Sequence, residues 1–400
     1  TDTEDSPTNS KFYVKVKKDE TYGLWGNFKI GYTDNDLAHV DRGLYGANLH
    51  YQPLDTTSFG EPRLVLDGFA ADPGTVAGRD EFRGTDGSLY FLRRQDVLEG
   101  SERVRIEVRD KDSGIVLGVK NLTPVLDYDI DYLQGRILLA QPLSATADDG
   151  LLVSSDSISG HPVFLLIRYE FTPGFDNPDM LAAGGRVHYW FNDHVKLGLT
   201  TSQDEEEDIE NKLGGADLTL RMSSATWLKL ETGLTKGPGV PATTSMDGGY
   251  TFDTSDAFDD NEVEASAYRV DASLGLKDFF ENGRGRMTFY LQDLEAGYSA
   301  PGVVTARDLT QYGGTADLPL TERLSARLKM DKQDQQEGLE TETGELNLDY
   351  RMGEHWTLGS GVRYDSRKDN SAVVPATQEE GDRTDAVVQV AFAPTSNWRA

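Results

Sequence analysis

Carboxylates are the side chains with most chemistry to offer in this chain. Two runs concentrate them, Asp204–Asp208 and Asp253–Glu262. Oxygen-rich loops of this kind could hold Ca²⁺ weakly, but neither run has the ligand spacing of an EF-hand. A solvated acidic loop is the better reading of both. Asp127, Asp129 and Asp131 share one face of a short strand. There they could ligate a cation, cap turns, or pair with Arg103, Arg105 or Arg109. The six histidines, His39, His50, His161, His188, His194 and His355, show no metal-ligand spacing. His188 and His194 flank one short turn and suit an interfacial position better than a metal site. The chain has no Cys, which removes disulfides, thiolate metal sites and cysteine nucleophiles. No nucleophile elbow, zincin helix motif or phosphate loop occurs. Neither an enzyme nor a resident cofactor or metal is expected.

A second set of charged residues recurs with a different logic. Lys196, Asp217, Arg221, Lys229, Glu231, Arg269, Asp271, Arg286, Arg323, Arg327, Lys329, Glu345, Asp349, Arg351, Arg363 and Asp385 fall on one face of alternating segments. The opposite face is apolar: Val195, Leu197 and Leu199; Leu218, Leu220 and Met222; Val270, Ala272, Leu274 and Leu276; Met287, Phe289 and Leu291; Leu324, Ala326, Leu328 and Met330; Leu346, Leu348, Tyr350 and Met352; Ala386, Val388, Val390 and Phe392. Period 2 is the strand period, because successive side chains point to opposite faces. Both charge signs on one face suit a wet lumen with cross-strand ion pairs. A soluble sheet with one solvated face predicts the same alternation, so the pattern alone does not decide.

Two features of the elements that carry these residues favour a membrane barrel. Connections after Gly184 alternate in length. Short turns at Asn192-Asp193, Ser223–Ala225, Glu281–Gly285, Thr321-Glu322, Gly353-Glu354 and Thr395–Asn397 alternate with long ones at 204–212, 237–265, 299–310, 331–343 and 369–382. Short turns on one side and long loops on the other are the outer-membrane barrel pattern. Aromatic residues cluster beside the short turns: Tyr189, Trp190, Phe191, Trp227, Phe279, Phe280, Trp356 and Trp398. Tyr298, Tyr312 and Tyr364 lie near the long loops. Two aromatic belts match the two interfaces of a membrane.

Composition is compatible with this. The formal charge of -29, from 68 acidic against 39 basic residues, excludes a nucleic-acid partner. No run of 18 or more apolar residues exists, which removes a transmembrane helix but not a barrel. Composition by itself fits a soluble acidic all-β protein equally well.

The domain organisation follows. Residues 1–21 read as an N-terminal tail with a short strand, and 22–72 as the first barrel strands. Residues 73–182 read as an inserted β-sandwich, with the rest as barrel hairpins. Short charged turns about every ten residues mark the insertion. Strand parity places it on the side of the long loops, which is the extracellular side if the short turns are periplasmic. The tally is about 14 strands, with another starting at Asn397-Trp398, so the expected barrel has 16 or more when complete.

Several phrases resemble a known type of protein. They are Tyr22–Phe28, Arg42–Gly46, Gly87–Leu92, Gly100–Asp110, Asp127–Tyr132 with Gly135–Ile137, and Pro162–Glu170. They are similar to a segment of large, poorly characterised bacterial outer-membrane and cell-surface proteins, in which a β-sandwich sits beside barrel strands. The resemblance spans roughly residues 20–172 and implies architecture and a Gram-negative outer-membrane location. It carries no catalytic residues. The expected function is a porin-like channel, or the membrane component of an export or surface-assembly system. The alternative is a structural or adhesive protein whose barrel displays the sandwich. Expected partners are outer-membrane lipid and other envelope or surface proteins.

Overall fold

A computed structural model describes residues 13–71, 75–147, 160–171, 180–206, 209–237, 243–254, 263–300, 303–371 and 380–392. The acidic residues 255–262, the tail at 1–12 and Trp398 lie outside them. The described residues are all-β, with one short 3₁₀ turn among them at Leu276–Asp278.

Fifteen antiparallel strands form one sheet, each paired with its sequence neighbour in the sheet. In order they are Tyr13–Lys18, Thr21–Tyr32, Val40–Tyr51, Leu64–Ala71, Met180–Trp190, Val195–Glu206, Ile209–Arg221, Trp227–Lys236, Glu264–Gly275, Arg286–Leu294, Leu309–Pro319, Leu324–Gln335, Leu339–Met352, Trp356–Asp369 and Gly381–Phe392. The short N-terminal strand therefore belongs to this wall, through Tyr13↔Gly26 to Lys18↔Thr21, and is not part of a tail. The expected domain boundary at 182 also moves. Met180–Trp190 is a wall strand, paired to Leu64–Ala71 across the insertion.

Burial decides between a soluble sheet and a barrel wall. A soluble sheet buries its apolar face and solvates its charged face. Here the order is reversed: Leu199, Phe289 and Met330 are 49%, 47% and 63% exposed, whereas Asp217, Glu231 and Arg363 are 1%, 4% and 4% exposed. An apolar outer face and a polar interior are what a wall in lipid requires. The aromatic belt is partly as expected. Tyr189, Phe191, Phe279, Phe280 and Trp356 are exposed beside the short turns, and Tyr312 and Tyr364 near the other end. Three expected belt residues face inward instead. Trp190 is buried beneath Arg221, 4.2 Å from its ring centre. Trp227 shares the face of Lys229 and Glu231. Tyr298 is fully buried and donates from its hydroxyl to the Leu37 carbonyl, 2.6 Å away.

Two expected long loops are largely strand. Pairing runs without a break to Glu206↔Ile209 and to Asp334↔Glu340. Asp204, Glu205, Asp334 and Glu340 extend the strands, since pairing continues even where both faces turn polar.

The acidic segment 33–41 is a larger departure. The hairpin that carries it leaves the wall. Pairing to the next strand stops at Gly46↔Ala71, and Gly26 pairs with Gly46 within the hairpin. Gly26 has φ +126°, a value L side chains rarely adopt. A Cβ on Gly46 would lie 2.4 Å from the Ala70 carbonyl oxygen. The two glycines let both strands bend inward at one level. Beyond them Phe28, Ile30, Tyr32, Leu37, Ala38, Val40 and Leu44 pack on the inner wall residues Phe69, Ala71, Ala182, Leu213, Ala265, Ala267 and Leu294.

The insertion between Ala71 and Met180 forms its own two sheets. One holds Val76–Arg83, His161–Phe171, Arg103–Arg109 and Val116–Asn121, with Thr146–Ala147 alongside; the other holds Leu89–Phe91, Arg136–Leu139 and Tyr128–Asp131. Phe82, Val104, Leu165 and Ile167 from the first share a core with Tyr90, Ile137, Leu139 and Tyr128 from the second. The domain is not built from the insertion alone. Thr243–Ser245 pairs parallel to Val76–Arg83, and Asp253–Thr254 pairs in turn with Thr243–Ser245. The connection 237–265, expected as a loop, thus lends two strands to the inserted domain.

Candidate functional site

The inner wall offers charged side chains at alternate positions, and two polypeptide tips reach them. The first is the tip of the fold-back hairpin. Asp34 lies 3.5 Å from Arg186, 3.4 Å from Lys196 and 3.8 Å from His188. Burial pushes the Asp34 carboxyl up, but Lys196, Arg186 and His188 outweigh it and hold the group below its ordinary value. Asn35 donates to the Ala216 carbonyl, and its own side-chain oxygen caps the amides of Leu37 and Ala38. Asp36 pairs with Lys229 at 3.8 Å and Arg269 at 3.7 Å, while its amide donates to Glu231. Ala38 lies over Gly215, where a Cβ would fall 2.3 Å from the Ala38 methyl. Glycine at 215 is therefore what allows the hairpin to approach the wall.

The second tip is the turn Asp110–Gly114 of the inserted domain. Gly114 has φ +72°, and the Asp110 carboxylate accepts from the amides of Asp112 and Ser113, which fixes the turn. Lys329 on the wall lies 2.7 Å from Asp110 and 2.5 Å from Asp112. Arg363 on the wall lies 2.6 Å from Asp112, 3.2 Å from Glu345 and 2.6 Å from Asp365. Gln311 donates to the Ser113 carbonyl. Burial raises the Asp110 and Asp112 carboxyls, but the Lys329 ammonium beside Asp110 and the hydrogen bond from Arg363 to Asp112 prevail, so both titrate below the usual carboxylate range. Lys329 sits five residues above the start of its twelve-residue strand, so the turn reaches mid-wall.

A third contact joins hairpin, domain and wall at once. Arg42 of the hairpin lies 2.9 Å from Glu170 of the inserted domain and 2.5 Å from Asp204 of the wall. The inserted sheet turns its charged face this way: Arg79, Glu81, Glu107, Arg168 and Glu170 on that face are all buried. The hairpin is thus layered between the wall and the inserted domain.

The remaining charged wall residues are disposed as follows. Asp217 accepts from Arg186 at 2.8 Å, Lys229 pairs with Glu231 at 2.6 Å, and Arg269 pairs with Asp271 at 2.6 Å. Arg221 makes a two-point pair with Glu61 at 2.8 Å and 2.8 Å, closing the short-turn end with the 52–63 connection. Arg327 reaches Asp349 at 3.4 Å, and Arg286 donates to Ser273 at 2.7 Å. Arg323 and Arg351 are exposed at a short turn and joined only by a backbone bond there. Neither tip was legible as a partner of these residues. A polar loop reads as solvated when its counter-charges lie far off in sequence.

Among the described residues, two clusters of three carboxylates come close enough to share a cation: Asp36, Glu231 and Asp271, and Asp110, Asp112 and Asp331. Each already has a cationic side chain against it, Lys229 for the first and Lys329 for the second. The geometry is that of ammonium–carboxylate clusters. Of the runs considered for Ca²⁺ in the sequence, Asp204 is engaged by Arg42, and most of 253–262 lies outside the described residues.

No protein-family model and no curated protein matches the chain. Among solved structures, a point mutant of the ferric enterobactin receptor PfeA from Pseudomonas aeruginosa is similar at TM-score 0.34 and 11% identity, covering 95% of this chain and 68% of that one. The barrel reading rests on the strand register and on the inverted burial described above.

Proposed function

We propose that this chain is an outer-membrane barrel wall with a built-in plug, and that it works as a gated conduit. The inserted domain and the fold-back hairpin close the lumen at rest. The observation that carries this reading is the chemistry of the closure. The plug's turn meets the wall through Lys329, Arg363, Asp110 and Asp112, not through apolar packing. Permanent interfaces are built like a domain core cut in half, whereas this contact is a set of paired charges. The domain also keeps its own apolar core, so it would stay folded when displaced. The cargo class, and the choice between a porin-like and an export role, are open to the same test.

Conductance in planar bilayers is that test. The unaltered protein is expected to be silent, and Lys329→Ala combined with Arg363→Ala to open frequent conducting events. If the double variant is as silent as the parent while its plug turn is demonstrably released, the conduit reading fails. The barrel would then be an anchor that displays the domain.

A further inference from the structure

A row of three arginines crosses the inserted sheet on the face that meets the hairpin. Register places Arg168 beside Arg79 on one side and beside Arg103 on the other. Arg105 follows two positions along from Arg103 on the same face. Like charges directly opposite on adjacent strands oppose pairing. Carboxylates are shared among these guanidinium groups. Arg103 lies 3.0 Å from Asp41, and Arg105 2.6 Å from Glu107. Arg109 lies 2.8 Å from Glu81 and 2.9 Å from Glu107. Glu81 also accepts from Arg79. Two carboxylates, Glu81 and Glu107, therefore serve three guanidinium groups.

Arg79 carries the further signal. It is 7% exposed. Its Nη2 is used by Glu81, yet its Nε and Nη1 are buried without a hydrogen-bond partner. Unmet donors on a buried charged group carry a full desolvation penalty. On the far side, His39 of the hairpin contacts Arg168 through Nε2. Burial, and then Arg168, hold the His39 imidazole well below its usual pKa, so the ring is neutral and accepts there.

We propose that Arg79, with Arg168 and Arg105 beside it, forms a binding site for a tetrahedral oxyanion of the phosphate or sulfate class, seated between the inserted domain and the hairpin. The class follows from the donors. Several converging guanidinium N–H groups match a compact anion with many acceptor atoms and more than one negative charge. The location follows from the layering. An anion there bridges the plug to the hairpin that Arg42 already ties to Glu170 and Asp204. The inference goes beyond the conduit reading and holds whether or not the lumen ever opens.

Equilibrium dialysis of the full chain in a neutral detergent, with radiolabelled inorganic phosphate as probe, tests it. One saturable site is expected, displaced by sulfate and not by chloride at equal ionic strength. Arg79→Gln is expected to abolish it, and Arg136→Gln, on the exposed three-stranded sheet, to leave it intact. If Arg79→Gln does not fold, Arg79→Lys keeps the charge but loses donors, and should weaken phosphate roughly tenfold. Anionic phosphatidylglycerol micelles that displace the labelled phosphate would assign the site to a lipid headgroup, and failure to displace would assign it to the free anion. No saturable binding, or equal binding in wild type and both Arg79 variants, overturns the proposal.

Discussion

Arg363 on the wall lies 2.6 Å from Asp112 on the turn of the inserted domain, a contact between residues 251 positions apart. Both side chains are buried, and Lys329 shares the same carboxylate. Removing one member strands the other in a low-dielectric setting, which costs more than the pair contributes. The turn is therefore held by a joint that fails as a unit.

Thiol accessibility reads that joint directly, because the chain has no cysteine of its own. Ser113→Cys places one thiol at a buried position of the turn. Its reaction with a bulky maleimide is expected to be slow. Adding Lys329→Ala should accelerate labelling by roughly tenfold or more, since a buried charge-assisted bond contributes about 1.5–3 kcal/mol. Equal rates in both backgrounds would show that the turn is held by something else.

Acid should also release the turn, at a low pH. Asp110 and Asp112 have folded-state pKa values below their ordinary ones. Stability from a depressed carboxylate is present above its unfolded pKa and is lost as pH falls through the folded value. Labelling of Ser113→Cys should thus stay slow at neutral and mildly acid pH. Release, followed by proteolysis at acid pH, is expected only below the usual carboxylate range.

Asp80 in the inserted domain predicts the opposite slope in a different window. Burial raises its carboxyl to about 6, although the Arg93 amide and the Tyr169 hydroxyl both donate to it. A raised folded pKa stabilises below the unfolded value, and that stability is lost as pH rises through the folded one. The domain should therefore be more stable near pH 5 than near pH 7, by about 1–2 kcal/mol. Asp80→Asn should flatten that dependence in urea unfolding followed by hydrogen exchange. A retained slope would locate the titration elsewhere.

The outward face has its own test. Leu291→Arg puts a charge on the apolar side and should cost about 2–4 kcal/mol in refolding into lipid vesicles, if the residue lies near the bilayer midplane. A cost near zero would mean that this face does not meet hydrocarbon.

Gly46→Ala addresses the bend. The added methyl would meet backbone of the neighbouring wall strand at 2.4 Å, where no side chain can yield. The hairpin is expected to seat poorly. Proteolysis near Asp36, slow in the parent, should become at least several-fold faster, because such backbone conflicts exceed about 1 kcal/mol.

Much of the wall was legible from alternation, since register, inward charge and outward apolar rows all follow from period 2. The inserted domain was legible from its dense short strands, but not the two strands it borrows from 243–254, which are too short to show a pattern. Trp190 and Tyr298 were misplaced for a related reason. Proximity to a turn locates an aromatic along the wall axis, whereas only parity and tertiary contact fix the side it faces. The fold-back hairpin was hidden most completely. Its apolar residues look like an ordinary wall strand, and its acidic tip finds counter-charges such as Arg186 only 152 positions later.

The paired glycines at 26 and 46 impose an order of assembly. A hairpin enclosed between wall and inserted domain cannot enter after both are in place. It has to turn inward while the domain is still absent or loose. The bend is in that sense a timing device as well as a shape. Slowing it should yield chains in which wall and inserted domain meet with the hairpin left outside.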